Sequence, residues 1–274
     1  MRNEPLPSFD RPPVIETVLG VQFNPIGGFS NAHLGAFWEK LSAKWPDVVD
    51  APPLDPVFEQ FAEQQAWIGR GMQLSFSKTR PARFQIRNAH KDRMIQIQNG
   101  RFHYNWLLSQ GTEYPRYSRV RSEFDQHLND LRLYLEDKSL GAIDPNQWEV
   151  TYVNHIPKDT VWSKPEDWGG LFPTLPMQAA RTSAASLESF SGQWHFMIAP
   201  ERGRLHVEIR HGRQQSDEPS ELLIMTLTAR GPVSTDGLDL NQGLDLGRET
   251  IVRAFADLTS EKAHKQWKRN DVEC

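Results

Sequence analysis

Met94-Ile95-Gln96-Ile97-Gln98-Asn99-Gly100-Arg101-Phe102-His103-Tyr104-Asn105-Trp106 is the stretch whose reading decides the fold. Two alternating strands meet at Asn99-Gly100, and Asn-Gly is the strongest short hairpin signal because both residues tolerate the positive φ of a type I′ turn. With that pair at the tip, Ile97 falls opposite Phe102, Ile95 opposite Tyr104 and Arg93 opposite Trp106. Gln98, Gln96 and Met94 then face Arg101, His103 and Asn105. One side of this hairpin is apolar and the other polar, which predicts a sheet with one face on a core and one in water.

Outward from the hairpin the same character recurs. Upstream, Met72, Leu74 and Phe76 alternate with polar residues, and then Phe84 and Ile86 alternate with Arg83, Gln85 and Arg87, two further strands. Ala51-Pro52-Pro53-Leu54-Asp55-Pro56 reads as a connector, too short and too apolar to be disordered. Before it, Leu34, Phe37, Trp38, Leu41 and Trp45 recur at helical spacing behind a cap at Ser30 or Asn31, and Pro46 stops that helix. Val14 to Phe23 alternates as a strand. Downstream, Tyr117, Val120, Phe124, Leu128, Leu131 and Leu135 form the inward stripe of a long helix.

The second half starts with a strand over 148–156, apolar on both faces and therefore central. A short helical turn follows at Glu166-Asp167-Trp168. Strands are predicted around 190–198, 204–210 and 222–229, then a helix carrying Leu246, Ile251, Phe255 and Leu258, and a further helical turn after Thr259-Ser260.

Side by side, the halves predict an α+β fold of two tandem pseudo-repeats of β-α-β(3–4)-α type, with antiparallel sheets and helices on one face. That order resembles the TATA-binding-protein-like topology, an analogy of fold that carries no function. The predicted division is an arm over 1–11, a first repeat over 12–141 and a second over 142–274, packed as one unit.

Composition bounds the function. The chain has 274 residues, 38% of them hydrophobic, which suffices for a substantial core. Its longest apolar run, Leu222-Leu223-Ile224-Met225, is far short of the roughly 20 residues that span a bilayer. The start lacks an apolar signal core, so a cytoplasmic location is expected. The lone Cys274 closes no internal disulfide and builds no thiolate site. A net charge of −4 argues against a dedicated nucleic-acid binder. Yet ten Lys and Arg lie between Lys78 and Arg121 against only Asp92 and Glu113, and the balancing acids cluster in 47–63 and 125–149.

Four pieces resemble a sporadically distributed prokaryotic family of conserved hypothetical proteins of about 265 residues. They are the N-terminal strand Pro12-Pro13-Val14-Ile15-Glu16-Thr17-Val18-Leu19-Gly20-Val21-Gln22-Phe23, of PPxxExVxxxxF type, and the hairpin through Phe102-His103-Tyr104-Asn105. The third is the Tyr114-Pro115 helix start with Tyr152-Val153-Asn154-His155-Ile156, and the fourth is Phe255-Ala256-Asp257-Leu258-Thr259 with Trp267. Family members carry a glycine-aromatic helix start and an Arg-Tyr-x-Asn strand where this chain has Arg116-Tyr117 and Thr151-Tyr152-Val153-Asn154. The family has no established activity. Its patchy occurrence implies cargo of mobile-element, defence or toxin–antitoxin loci.

Phosphate-loop, dinucleotide, zinc-protease and nucleophile-elbow patterns are absent, so neither an enzyme nor a cofactor is expected, and no catalytic residue or metal ligand is assigned. A tight turn at Pro200 to Gly203 would bring His195 near His206 or Glu208, though histidines at exposed strand positions are ordinary. The polar faces offer the candidate surface: Arg83, Arg87, Gln96, Arg101 and His103 in the first half, and His195, His206 and Arg210 in the second. The expected function is a non-enzymatic protein-interaction or regulatory module whose partner is another protein or a second copy of the chain. The alternative is nucleic-acid binding through the basic segment 78–121.

Overall fold

A computed structural model describes residues 5–61, 82–176, 184–198, 200–214 and 220–270. Eleven strands and five helices follow in chain order among them: β1 (Ser8–Phe9), β2 (Val14–Phe23), α1 (Asn31–Leu41), β3 (Asp47–Ala51), β4 (Arg83–Arg87), β5 (Arg93–Gln98), β6 (Arg101–Leu107), α2 (Tyr117–Asp137), β7 (Pro145–Pro157), α3 (Trp168–Leu171), β8 (Ser191–Ile198), β9 (Gly203–Gln214), β10 (Ser220–Pro232), α4 (Leu240–Leu258), α5 (Glu261–Gln266) and β11 (Arg269–Asn270). The fold is α+β. Nine strands form one antiparallel sheet in the order β3-β4-β5-β6-β2-β7-β10-β9-β8, and β1 pairs with β11 in a separate ribbon.

β5 and β6 pair in the register read from the sequence, with Ile97 opposite Phe102, Ile95 opposite Tyr104 and Arg93 opposite Trp106. The turn differs from the expectation. Only Gly100 has positive φ, at 97°, so Asn99 keeps a negative φ and the pair has the pattern of a type II rather than a type I′ turn. The reason lies outside the hairpin: the Asn99 amide accepts from Ile26 N and donates to the Ile26 and Phe29 carbonyls, tying the tip to the loop before α1.

The halves meet where β2 pairs with β7, Leu19 opposite Val150 and Val21 opposite Trp148. Leu19, Val21, Phe102, Tyr104, Trp148 and Val150 all point to the face under the helices and are buried. The predicted stripe of α2, from Tyr117 to Leu135, is buried against it, with Phe124 5.9 Å from Phe102. α4 covers the second half. Its start is closed by a capping box in which Asp239 accepts from Gln242 N while Gln242 bonds back to Asp239 N. Gly243 and Gly247 let this helix lie directly on Trp148 and Val150.

β3 was not anticipated. It is a five-residue edge strand on β4, with Val49 exposed. The strand expected over Met72 to Phe76 lies outside the described residues, as do Lys78 and Arg80 of the basic segment. No described helix is long and apolar enough to cross a membrane.

Candidate functional site

Alternation places Gln22, Gln96, Gln98, Arg101, His103, Asn105, Gln147 and Glu149 on the face of the sheet opposite the helices. The expectation that this face meets water is overturned at its centre: Gln96, Arg101 and His103 are each 8% exposed or less. Residues 52–61, the proline-rich connector and the stretch after it, cross it as a strap. Proline at 52, 53 and 56 removes three backbone donors and favours an extended course.

The strap is held largely by its backbone. Leu54 N donates to Gln98 Oε1 and Gln98 Nε2 donates back to the Leu54 carbonyl, both at 2.8 Å. Val57 N donates to Gln22 Oε1 at 2.9 Å and Glu59 N to Gln147 Oε1 at 3.2 Å. Arg101 Nη2 donates to the Asp55 carbonyl at 3.1 Å and to Gln22 Oε1 at 2.7 Å. Arg83 Nε reaches the Pro52 carbonyl at 3.0 Å. Three glutamine carboxamides from β5, β2 and β7 thus read an extended polypeptide at residues 54, 57 and 59.

At the far end the Glu59 carboxylate enters the second half. Its Oε1 accepts from His206 Nε2 at 2.7 Å and Arg230 Nε at 2.5 Å, and its Oε2 from Arg204 Nη1 at 2.5 Å. Burial would raise this carboxyl, but the hydrogen bonds from His206 and Arg230 outweigh it and hold it at about 2. His206 Nδ1 lies 2.7 Å from His195 Nδ1 across the predicted hairpin, so those two residues are brought together as the sequence suggested. Burial, with His206 and Arg204 adding like charge, lowers the His195 imidazole. Glu208 sits one position along the same sheet face, opposite Gln193, with its Oε1 3.9 Å from Arg210 Nε, and Arg210 is exposed.

A second network crosses the first half. Arg83 Nη1 donates to Gln96 Oε1 at 2.5 Å, Gln96 Nε2 to Asn105 Oδ1 at 3.0 Å, and Asn105 Nδ2 to Glu16 Oε1 at 2.6 Å. Burial raises the Glu16 carboxyl against the Asn105 bond and the charge of Arg87. His103 lies across Gly20 from Glu149, with Nε2 3.8 Å from Oε1; a Cβ at Gly20 would sit 2.6 Å from the imidazole. Burial holds this histidine neutral, pushed down to about 4. Arg87 is half-buried at the margin.

The basic segment does not form one patch among the described residues. Arg93 pairs with Asp92 and Glu123, Arg119 with Glu123, Arg121 with Asp125 and Asp245, and Arg101 is under the strap. Sequence reasoning missed Gln22, Gln147, Glu59 and Arg230 as members of the site. The available signal was the acidic cluster in 47–63, which balances cations that the fold brings to it. No family model, curated protein or solved structure gives a significant match to the chain.

Proposed function

We propose that the polar sheet face is a recognition surface for an extended, acidic polypeptide segment, and that residues 52–61 occupy it in cis. The observation that carries this reading is the glutamine row, which bonds the strap's backbone and leaves specificity to one carboxylate, Glu59. Backbone bonding fits any extended chain, while a charged anchor selects among them. In this reading the protein is a non-enzymatic interaction module, and its partner is a protein bearing an acidic residue five positions beyond the residue seated at Gln98. The strand order, mirrored about β2 and β7, supports treating the halves as repeats of one unit in the TATA-binding-protein-like manner. Nucleic-acid binding draws no comparable support: among the described residues of the basic segment Arg93, Arg119 and Arg121 pair with carboxylates and Arg101 is covered by the strap.

Glu59→Lys sets an ammonium against Arg204 and Arg230 and releases the strap. A fluorescein-labelled peptide of residues 51–61, added to the full-length variant, is expected to bind saturably by anisotropy. Binding should be at least tenfold weaker to the wild type, where the tethered strap competes at an effective concentration of roughly millimolar. Gln22→Ala with Gln98→Ala in the Glu59→Lys chain should abolish it. A peptide that ignores the released face, or binds equally to all three proteins, sinks the reading.

A further inference from the structure

On the helix side of the sheet, opposite the strap, a cavity of about 490 Å³ opens between the N-terminal arm, the start of α2, α4 and the middle of β7 and β10. Its volume falls within the range of small-molecule sites, and its walls are mainly apolar, with Phe9, Leu227, Ile251 and Phe255 among them. Phe9 is fixed there by edge contact with Phe255 at 5.3 Å and by pairing of β1 with β11.

The polar groups in this wall share one preference. Two guanidiniums, Arg116 and Arg248, line it and no described carboxylate does. Arg248 is half-buried, stacked 4.9 Å over the Tyr117 ring, and pairs with no described acid. The acids beside it on α4 are already engaged: Asp245 accepts from the Tyr117 hydroxyl and Arg121, and Glu249 from Arg253. Tyr114 and Tyr152 hydroxyls meet at 3.0 Å, and Asn154, only 3% exposed, lies beside them with its Nδ2 donating to the Met225 carbonyl at 3.2 Å. A cation half removed from water with no described counter-charge, beside a tyrosine pair that keeps one hydroxyl proton to donate, is an anion site.

The backbone adds an independent observation. Arg116 has φ 70° and ψ 155°, a region disfavoured for any residue but glycine, and its Nη1 donates to the Phe9 carbonyl at 2.9 Å. Such strain is stored where a side chain is held in place for a task. Here it holds the arm over the cavity and sets a second positive charge at the solvent edge.

We propose that this cavity binds a small organic carboxylate with an apolar body. The carboxylate lies against Arg248 and the tyrosine hydroxyls, and the hydrocarbon or aryl portion lies among Phe9, Leu227, Ile251 and Phe255. The site is separate from the strap-covered face and does not depend on the function proposed for it.

The test is titration calorimetry of the full chain with decanoate and with decan-1-ol, which has the same length and no charge. Decanoate is expected to bind one to one and about tenfold or more tighter than the alcohol, as a charge-assisted contact provides. Arg248→Met should weaken decanoate about tenfold and leave decanol unchanged, which also shows that the cavity has survived, while Arg248→Lys, which keeps the charge and loses the planar stack on Tyr117, should weaken decanoate less than Arg248→Met does. Val252→Phe, which fills the cavity, should weaken both ligands without lowering the melting temperature. Absence of decanoate binding, equal binding of acid and alcohol, or binding indifferent to Arg248→Met overturns the assignment.

Discussion

Glu59 and His103 are the two groups whose protonation the fold most plainly resists, and they do so for opposite reasons. Glu59 stays ionised because three cationic or donating side chains surround it, and His103 stays neutral because burial penalises its charge. Both folded values lie below the unfolded ones, so in both cases the unfolded chain binds protons first as pH falls. Stability is therefore lost on acidification, through His103 between about 6.5 and 4 and through Glu59 between about 4.5 and 2. Above those windows the Glu59 cluster contributes about 2 kcal/mol, allowing for solvent screening. Glu59→Gln is expected to lower the melting temperature at pH 7 and to show a smaller deficit at pH 3. A deficit that is the same at both pH values would mean that Glu59 has no depressed titration. None of the three partners is within 140 residues of Glu59 in sequence, and the shortest of these separations is 145. The residue was legible only as one acid of an acidic cluster, because charge balance along a chain does not name the pair.

Elements were read more fully than residues, since a periodicity of two or 3.6 is a local property of the chain. The stripe of α2, the start of α1 at Ser30 or Asn31, the helical turn before α3 and the register of the β5–β6 hairpin all follow from spacing, while the structure chose His206 over Glu208 as the residue opposite His195. β3 escaped because the only two β-branched residues of Asp47–Ala51, Val48 and Val49, are neighbours rather than alternates, and the segment acquires its strand form by adding to the edge of β4. Packing can also reverse a propensity. In an isolated helix Gly→Ala gains about 1 kcal/mol. At Gly243 of α4 a Cβ would stand 2.2 Å from Trp148 Cδ1, on the interior strand β7, where neither partner can move freely. Gly243→Ala is accordingly expected to destabilise by about 2 kcal/mol, the usual scale of overpacking. Chemical denaturation measures the sign, and a more stable variant would show that α4 stands further off the sheet.

At the scale of the whole molecule the junction of β2 with β7 makes two halves into one sheet, so the two should not melt apart. Leu19 sits at this junction, opposite Tyr104 on one side and Val150 on the other, fully buried. Leu19→Ala is expected to cost about 2 to 5 kcal/mol and to lower amide protection in β6 and β10 together. Protection lost from one half alone would show that the halves are energetically independent.

The sequence by itself determined most of the helices and strands of the main sheet, which residues share a face, and how the β5–β6 hairpin registers, because each of these depends on neighbours a few residues apart. Only the tertiary structure decided that the polar face is covered, that Glu59 meets Arg204 and Arg230, and that Arg248 lines a cavity without a counter-charge. Those outcomes require segments more than a hundred residues apart to close on one another, and no local pattern of polarity records which remote backbone will arrive to satisfy a buried amide or guanidinium.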